Sequence, residues 1–134
     1  MNKQYQLLTI LCCIQYNDGM MNTKQNEEFE KLQQELRRGV IVLAVMSQLH
    51  SEQYGYSLIS SLNEKGFEVG QDTLYPLLRR LEQQGLLESE WRVEEPRPRR
   101  YYKLNETGKE MVERLKQEWI AQETIIRRLL NEND

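Results

Sequence analysis

Cysteine, histidine and long apolar runs are nearly missing from this chain of 134 residues. Its two cysteines, Cys12 and Cys13, are adjacent, a spacing that suits neither a structural disulfide nor a Cys-x-x-Cys redox or zinc unit. A single histidine, His50, founds no metal site, so neither a metal nor a cofactor is expected. Scarce cysteine suits a reducing compartment, and a cytoplasmic protein is expected. The one continuous apolar run, Leu7 to Ile14, is far shorter than the ~20 residues a membrane span needs, and no membrane partner is expected. No small-x-small cleavage pattern follows it. We read residues 1–25 as a poorly structured amino-terminal extension, ahead of or straddling the start at Met20 or Met21, with a short packed helix as the alternative. Gly-rich phosphate loops, a Ser/His/Asp set and a His-Glu-x-x-His helix are all missing, and no enzyme is expected. An excess of positive charge is missing too, since the formal net charge is -3. Any polyanion partner must therefore be recognised by local placement of cations, not by overall charge.

What is present is a hydrophobic content of 39% and a charged content of 29%, which describes an ordinary globular chain able to bury one core. Phe29, Leu32 and Leu36 recur at helical steps and predict a first helix from about Asn26 to Leu49. Its second half, Val40 to Met46, is apolar nearly all round, which predicts burial on every side or contact with a second subunit. A second helix is predicted from about Tyr56 to Lys65, with Gly66 as its left-handed terminator. A third opens near Gln71 or Asp72, with Asp72 as a plausible N-cap and Pro76 within about the first turn. Leu74, Leu77, Leu78 and Leu81 form its apolar stripe, and Gly85 ends it. Alternation then predicts two strands, about Leu86 to Val93 and Arg100 to Leu104, joined by a tip containing Pro96 and Pro98. Asn105 is a good N-cap for a last helix reaching about Leu130.

The fold class read from this order is mainly α with a small β-hairpin: a winged helix-turn-helix over residues 26–104 plus a long carboxy-terminal dimerisation helix over 105–134. The leucine stripe turns the other side of the third helix outward, carrying Tyr75 and Arg79 with Thr73 and Arg80 on the flank. Such side chains suit base edges and phosphates in a major groove, although a merely solvated face would also carry them. The hairpin adds Arg97, Arg99, Arg100 and Lys103 in one short stretch without an acidic residue, suited to a DNA backbone. The alternative is a loop whose arginines pair with Glu94 and Glu95. In the last helix, Val112, Trp119 and Ile126 interleave with Leu115, Gln122 and Leu129 as a seam for a twofold partner. Trp119 is read either as an interface filler or as a platform that stacks a flat ligand. These residues predict a sequence-specific DNA-binding regulator, with a protein-interaction module of the same fold as the alternative.

The segments Leu36–Leu43, Tyr54–Ile59, Thr73–Leu87 and Arg97–Leu104 together resemble the PadR family of bacterial transcriptional regulators, over roughly residues 30 to 130. The run Thr73-Leu74-Tyr75-Pro76-Leu77-Leu78 and the Arg100-Tyr101-Tyr102 segment carry most of that likeness. The single carboxy-terminal helix is similar to the smaller class of the family. The resemblance implies a homodimer, joined through its first and last helices, that binds an inverted-repeat operator and represses. It further implies that a flat aromatic small-molecule effector stacks on Trp119 at the dimer centre and releases the DNA. Asn105 stands where the family usually has threonine, and residues 1–20 have no counterpart.

Overall fold

The computed structural model describes residues 22–132, so the apolar run Leu7 to Ile14, the cysteine pair and most of the expected extension lie outside the described residues. The elements run in the order α1 (Thr23–Ser47), β1 (Gln53–Tyr54), α2 (Gly55–Glu64), α3 (Gln71–Gln83), β2 (Leu87–Arg92), β3 (Arg99–Leu104) and α4 (Glu106–Asn131). The chain divides into two compact units at Arg38 and Gly39. The first, as far as it is described, is the leading part of α1, with Phe29, Leu32 and Leu36 exposed along it. Helix α1 begins at Thr23, earlier than Asn26, because Asn22 and Gln25 form a reciprocal cap. The Gln25 N–H donates to Asn22 Oδ1 at 2.9 Å, and the Asn22 N–H donates to Gln25 Oε1 at 3.0 Å.

The second unit holds one core. Val45, Met46, Leu49, Leu58, Leu74 and Leu78 are all fully buried, and Leu62, Val69, Leu77, Leu81, Leu87, Tyr102, Leu104 and Val112 complete it. Residues Ile41, Val42 and Ala44 are only partly buried against this core, so within one chain the apolar half of α1 is not enclosed on every side. The leucine stripe of α3 faces inward as its spacing predicts.

Two glycine terminators set the path between these helices. Gly66, at φ +87°, lets the Phe67 N–H reach the Leu62 carbonyl at 2.9 Å and its own N–H reach Asn63 at 3.0 Å. Gly85, at φ +77°, does the same with Leu86 and Leu81 at 3.0 Å and with Glu82 at 2.9 Å. Each is a Schellman turn, in which the left-handed residue turns the chain back to satisfy the last carbonyls.

Helix α3 opens at Gln71, as expected, but its cap differs from the expectation. Gly70 is its N-cap and Asp72 lies in the first turn without capping it, where its charge still favours the positive end of the helix dipole. Pro76 consequently falls in the second turn and leaves the Asp72 carbonyl without its intrahelical donor. Asp72 is exposed, so water can satisfy that oxygen.

The hairpin pairs β2 with β3 in register from Leu87↔Leu104 to Arg92↔Arg99. A third strand not expected from sequence, β1, joins the other edge of β3 through Gln53↔Tyr102 and Tyr54↔Tyr101, giving the order β1-β3-β2. Two residues are too few to show alternation, which is why this strand left no sequence signal.

Asn105 caps α4 by accepting from the Gly108 N–H at 2.8 Å, and its Nδ2 donates to the Gly85 carbonyl at 2.8 Å, tying the helix start to the end of α3. Gly108 is buried where a Cβ would collide with the Leu86 carbonyl oxygen and meet Leu104 Cδ2 at 3.0 Å. Alanine is ordinarily the better helix former by about 1 kcal/mol. Here Gly108→Ala is expected to destabilise instead, by about 1–3 kcal/mol, because a backbone oxygen cannot step aside as a side chain can. Urea unfolding of the two proteins at equal concentration checks the sign. Among the described residues no helix is long and apolar enough to cross a membrane.

Candidate nucleic-acid interface

Strand alternation divides the wing into two faces. Leu87, Ser89 and Trp91 share one with Leu104, Tyr102 and Arg100, while Glu88, Glu90 and Arg92 share the other with Lys103, Tyr101 and Arg99. The first face begins in the core and runs outward past the end of its cover, so Leu87 is buried and Trp91 is 65% exposed. Where this face and the outward side of α3 diverge, they enclose a groove of about 590 Å³. Tyr75, Arg79, Trp91, Arg97, Arg99 and Arg100 line it, and among the described residues no carboxylate does.

The cations expected to meet DNA fall into two groups. Thr73, Arg79 and Arg80 on α3 are exposed, as is Arg97 at the hairpin tip, and among the described residues these three arginines form no ion pair. Arg99 and Arg100 are half-buried and engaged. Arg99 donates to Glu94 at 3.3 Å and lies 4.5 Å over the Tyr54 ring, so the Glu94 pairing weighed as an alternative holds for that arginine. Arg100 pairs instead with Glu82 of α3 at 2.9 Å. Arg92 turns to the opposite face, paired with Glu52 at 2.6 Å and with Glu90 at 3.5 Å. The Glu52 hydrogen bond raises the Arg92 guanidinium above its ordinary pKa.

Tyr75 is half-buried. Its ring lies on Gly55, so close that a Cβ there would overlap the phenol, which makes Tyr75 part of the joint between α2 and α3 as well as of the groove wall. Tyr101 donates to Glu94 at 2.8 Å and 2.9 Å, and that bond raises its pKa above the usual phenol value. Tyr102 is raised by burial first. Both therefore remain neutral at physiological pH. Trp91 and Tyr54 were missed as groove residues. The alternation from Leu87 placed Trp91 on the inner face, but nothing local said where the cover over that face stops.

The seam of α4 splits in two. Val112, expected at a dimer interface, is 4% exposed within its own chain's core, and Leu115 is partly buried against that core. Beyond them the stripe is open, with Trp119 at 46%, Ile126 at 51% and Leu129 at 51% exposure. Gln122 sits between them and donates to Glu118 at 3.0 Å.

Known proteins agree with this architecture. The profile of the transcriptional regulator PadR-like family matches residues 42–114. A transcriptional regulator of Mycobacterium tuberculosis is 38% identical over 76 residues, covering 56% of this chain and 71% of that protein. A PadR family transcriptional regulator from Eggerthella lenta superposes with a TM-score of 0.78 at 38% identity, covering 81% of this chain and 97% of its own. A PadR-like transcriptional regulator from Bacillus cereus gives 0.64 at 31% identity, covering 72% and 96%. With helix-turn-helix, wing and long last helix all in place, this chain belongs to the PadR-like family of transcriptional regulators.

Proposed function

We propose that this regulator is a homodimeric cytoplasmic repressor that binds an inverted-repeat operator and is released by a flat aromatic effector. The observation that carries the DNA contact is the groove between α3 and the wing, which among the described residues has no carboxylate in its lining and no ion-pair partner for Arg79 and Arg97 on its two walls. In this reading Thr73, Tyr75, Arg79 and Arg80 enter or flank the major groove, and Arg97 with Arg99 grips the adjoining backbone. The open stripe of Trp119, Ile126 and Leu129 supports self-association, since a side chain as large as tryptophan gains most from being covered. Twofold pairing would place two recognition helices about one DNA turn apart. Trp119 supports the effector reading, because its indole offers a flat stacking surface on that same stripe.

Footprinting on the promoter of its own operon tests this. The expected result is protection of an inverted repeat with half-sites about 10 base pairs apart, lost on adding a flat aromatic compound that quenches tryptophan fluorescence. Uniform weak retardation with no protected sequence would overturn the operator reading. Protection unchanged by every such compound that quenches the fluorescence would overturn the effector reading alone.

A further inference from the structure

We infer that Glu82 and Arg100 are a positioning pair, which locks the wing at a set angle to the recognition helix, and that Arg100 serves as this brace and not as a DNA contact. The inference rests on the DNA-binding reading above. Glu82 lies at the end of α3, one turn beyond Arg79, and its carboxylate takes bonds from both strands of the hairpin. Arg100 Nη2 of β3 donates to its two oxygens at 2.9 Å and 3.1 Å. Ser89 Oγ of β2 donates to the same oxygens at 2.8 Å and 3.0 Å, and accepts from Arg100 Nε at 3.0 Å. The guanidinium also lies 5.3 Å from the Tyr102 ring centre and 5.8 Å from that of Trp91.

The base of the hairpin is held by Leu87, Tyr102 and Leu104 in the core, whereas farther out Trp91 is 65% and Val93 93% exposed, and the attachments there are β1, with its Arg92–Glu52 ion pair, on one edge and Glu82 of α3 on the inner face. The Glu82 network is the polar attachment to α3 at the point where the apolar one ends. As the direct polar tie between hairpin and recognition helix, it fixes the angle between them and so the distance of Arg97 from Arg79, which is the spacing that phosphates on a duplex must match. The pair is also two-thirds covered, with side-chain exposures of 33% and 29%, so a phosphate would have to displace a partly desolvated partner to claim Arg100. Finally, a carboxylate on a DNA-facing helix repels phosphates unless it is neutralised, and Arg100 neutralises it.

The two roles of Arg100 predict opposite signs. If Arg100 grips phosphate, removing Glu82 frees it and removes a negative charge, so binding tightens. If the pair is a brace, removing Glu82 weakens specific binding although the protein has become less negative. Fluorescence anisotropy over a range of salt, on the footprinted operator fragment and on an unrelated duplex, separates them. Glu82→Ala is expected to bind the operator about tenfold more weakly, with unrelated DNA nearly unchanged and the salt slope kept. Arg100→Ala is expected to match it, and the double variant to be no weaker than either single one, the mark of two residues acting as a unit. A loss of folded protein would lower binding to both duplexes, which thermal unfolding also reveals. Should Glu82→Ala not fold, Glu82→Gln carries the same sign test with the shape preserved. Equal or tighter operator binding on losing Glu82, or a slope shallower by about 0.9 per subunit for Arg100→Ala, overturns the brace. Wild-type protein that fails to distinguish the two duplexes overturns the operator reading instead.

Discussion

Alanine at Arg79 together with alanine at Arg97 is expected to weaken operator binding by roughly a thousandfold near 0.1 M salt. The estimate follows from counterion release. Each phosphate contact contributes about 0.9 to the slope of log affinity against log salt, and two lost contacts per subunit make four in a dimer. The slope should therefore become shallower by about 3 to 4, and the two proteins should converge as salt is raised. These two arginines are chosen because they stand on opposite walls of the groove and neither is engaged by a carboxylate among the described residues. Arg92→Ala is the control, since that side chain lies on the other face of the wing beside Glu52. Superposable salt slopes for the double variant and the wild type would show that DNA does not enter this groove. A shift in sequence preference for Arg79→Ala, without one for Arg97→Ala, would distinguish base reading from backbone grip.

The largest loss of stability is expected from Leu78→Ala, at about 2–5 kcal/mol. Leu78 is fully buried in the centre of the stripe that holds α3 in place, with Leu74 and Leu81 buried on either side. Truncation removes the transfer free energy of the lost carbons, and rigid neighbours on both sides limit how far the cavity can close. Domains of this kind are stable by only about 5–15 kcal/mol, so such a loss is a large share of the total. Denaturant unfolding at fixed protein concentration should show a lower midpoint with an unchanged slope, because the surface exposed on unfolding barely changes. A cost below about 1 kcal/mol would mean that the core around α3 is loose enough to collapse onto the gap.

Much of the arrangement was legible in the chain itself. The leucines of α3 and the alternation of β2 each repeat over a few residues, and such a period fixes which side of an element meets the core. Gly66 and Gly85 were legible for a similar reason, since a left-handed terminator is a one-residue requirement. Asn105 was read correctly as a cap because its partner, Gly108, is three residues away. The opening of α3 at Gln71 was within the expected bounds, but its N-cap was assigned to Asp72 where Gly70 stands, because a glycine N-cap uses its backbone alone and carries no side-chain signature.

The sequence by itself therefore determined the helix and strand order, the face of α3 that turns outward and the cationic character of the hairpin. All of these follow from short-range periodicity and local charge. Only the tertiary structure decided which arginines are spoken for. Arg97, Arg99 and Arg100 look alike along the chain, yet among the described residues one has no carboxylate partner, one is held by Glu94 and one by Glu82, eighteen residues away. It likewise decided that Tyr75 rests on Gly55 and that Val112 is consumed by its own core while Trp119 is left open. The reason is that a residue's partner depends on where distant segments come to lie, and residues equivalent in composition become different once the fold brings a carboxylate to one of them and leaves another facing solvent.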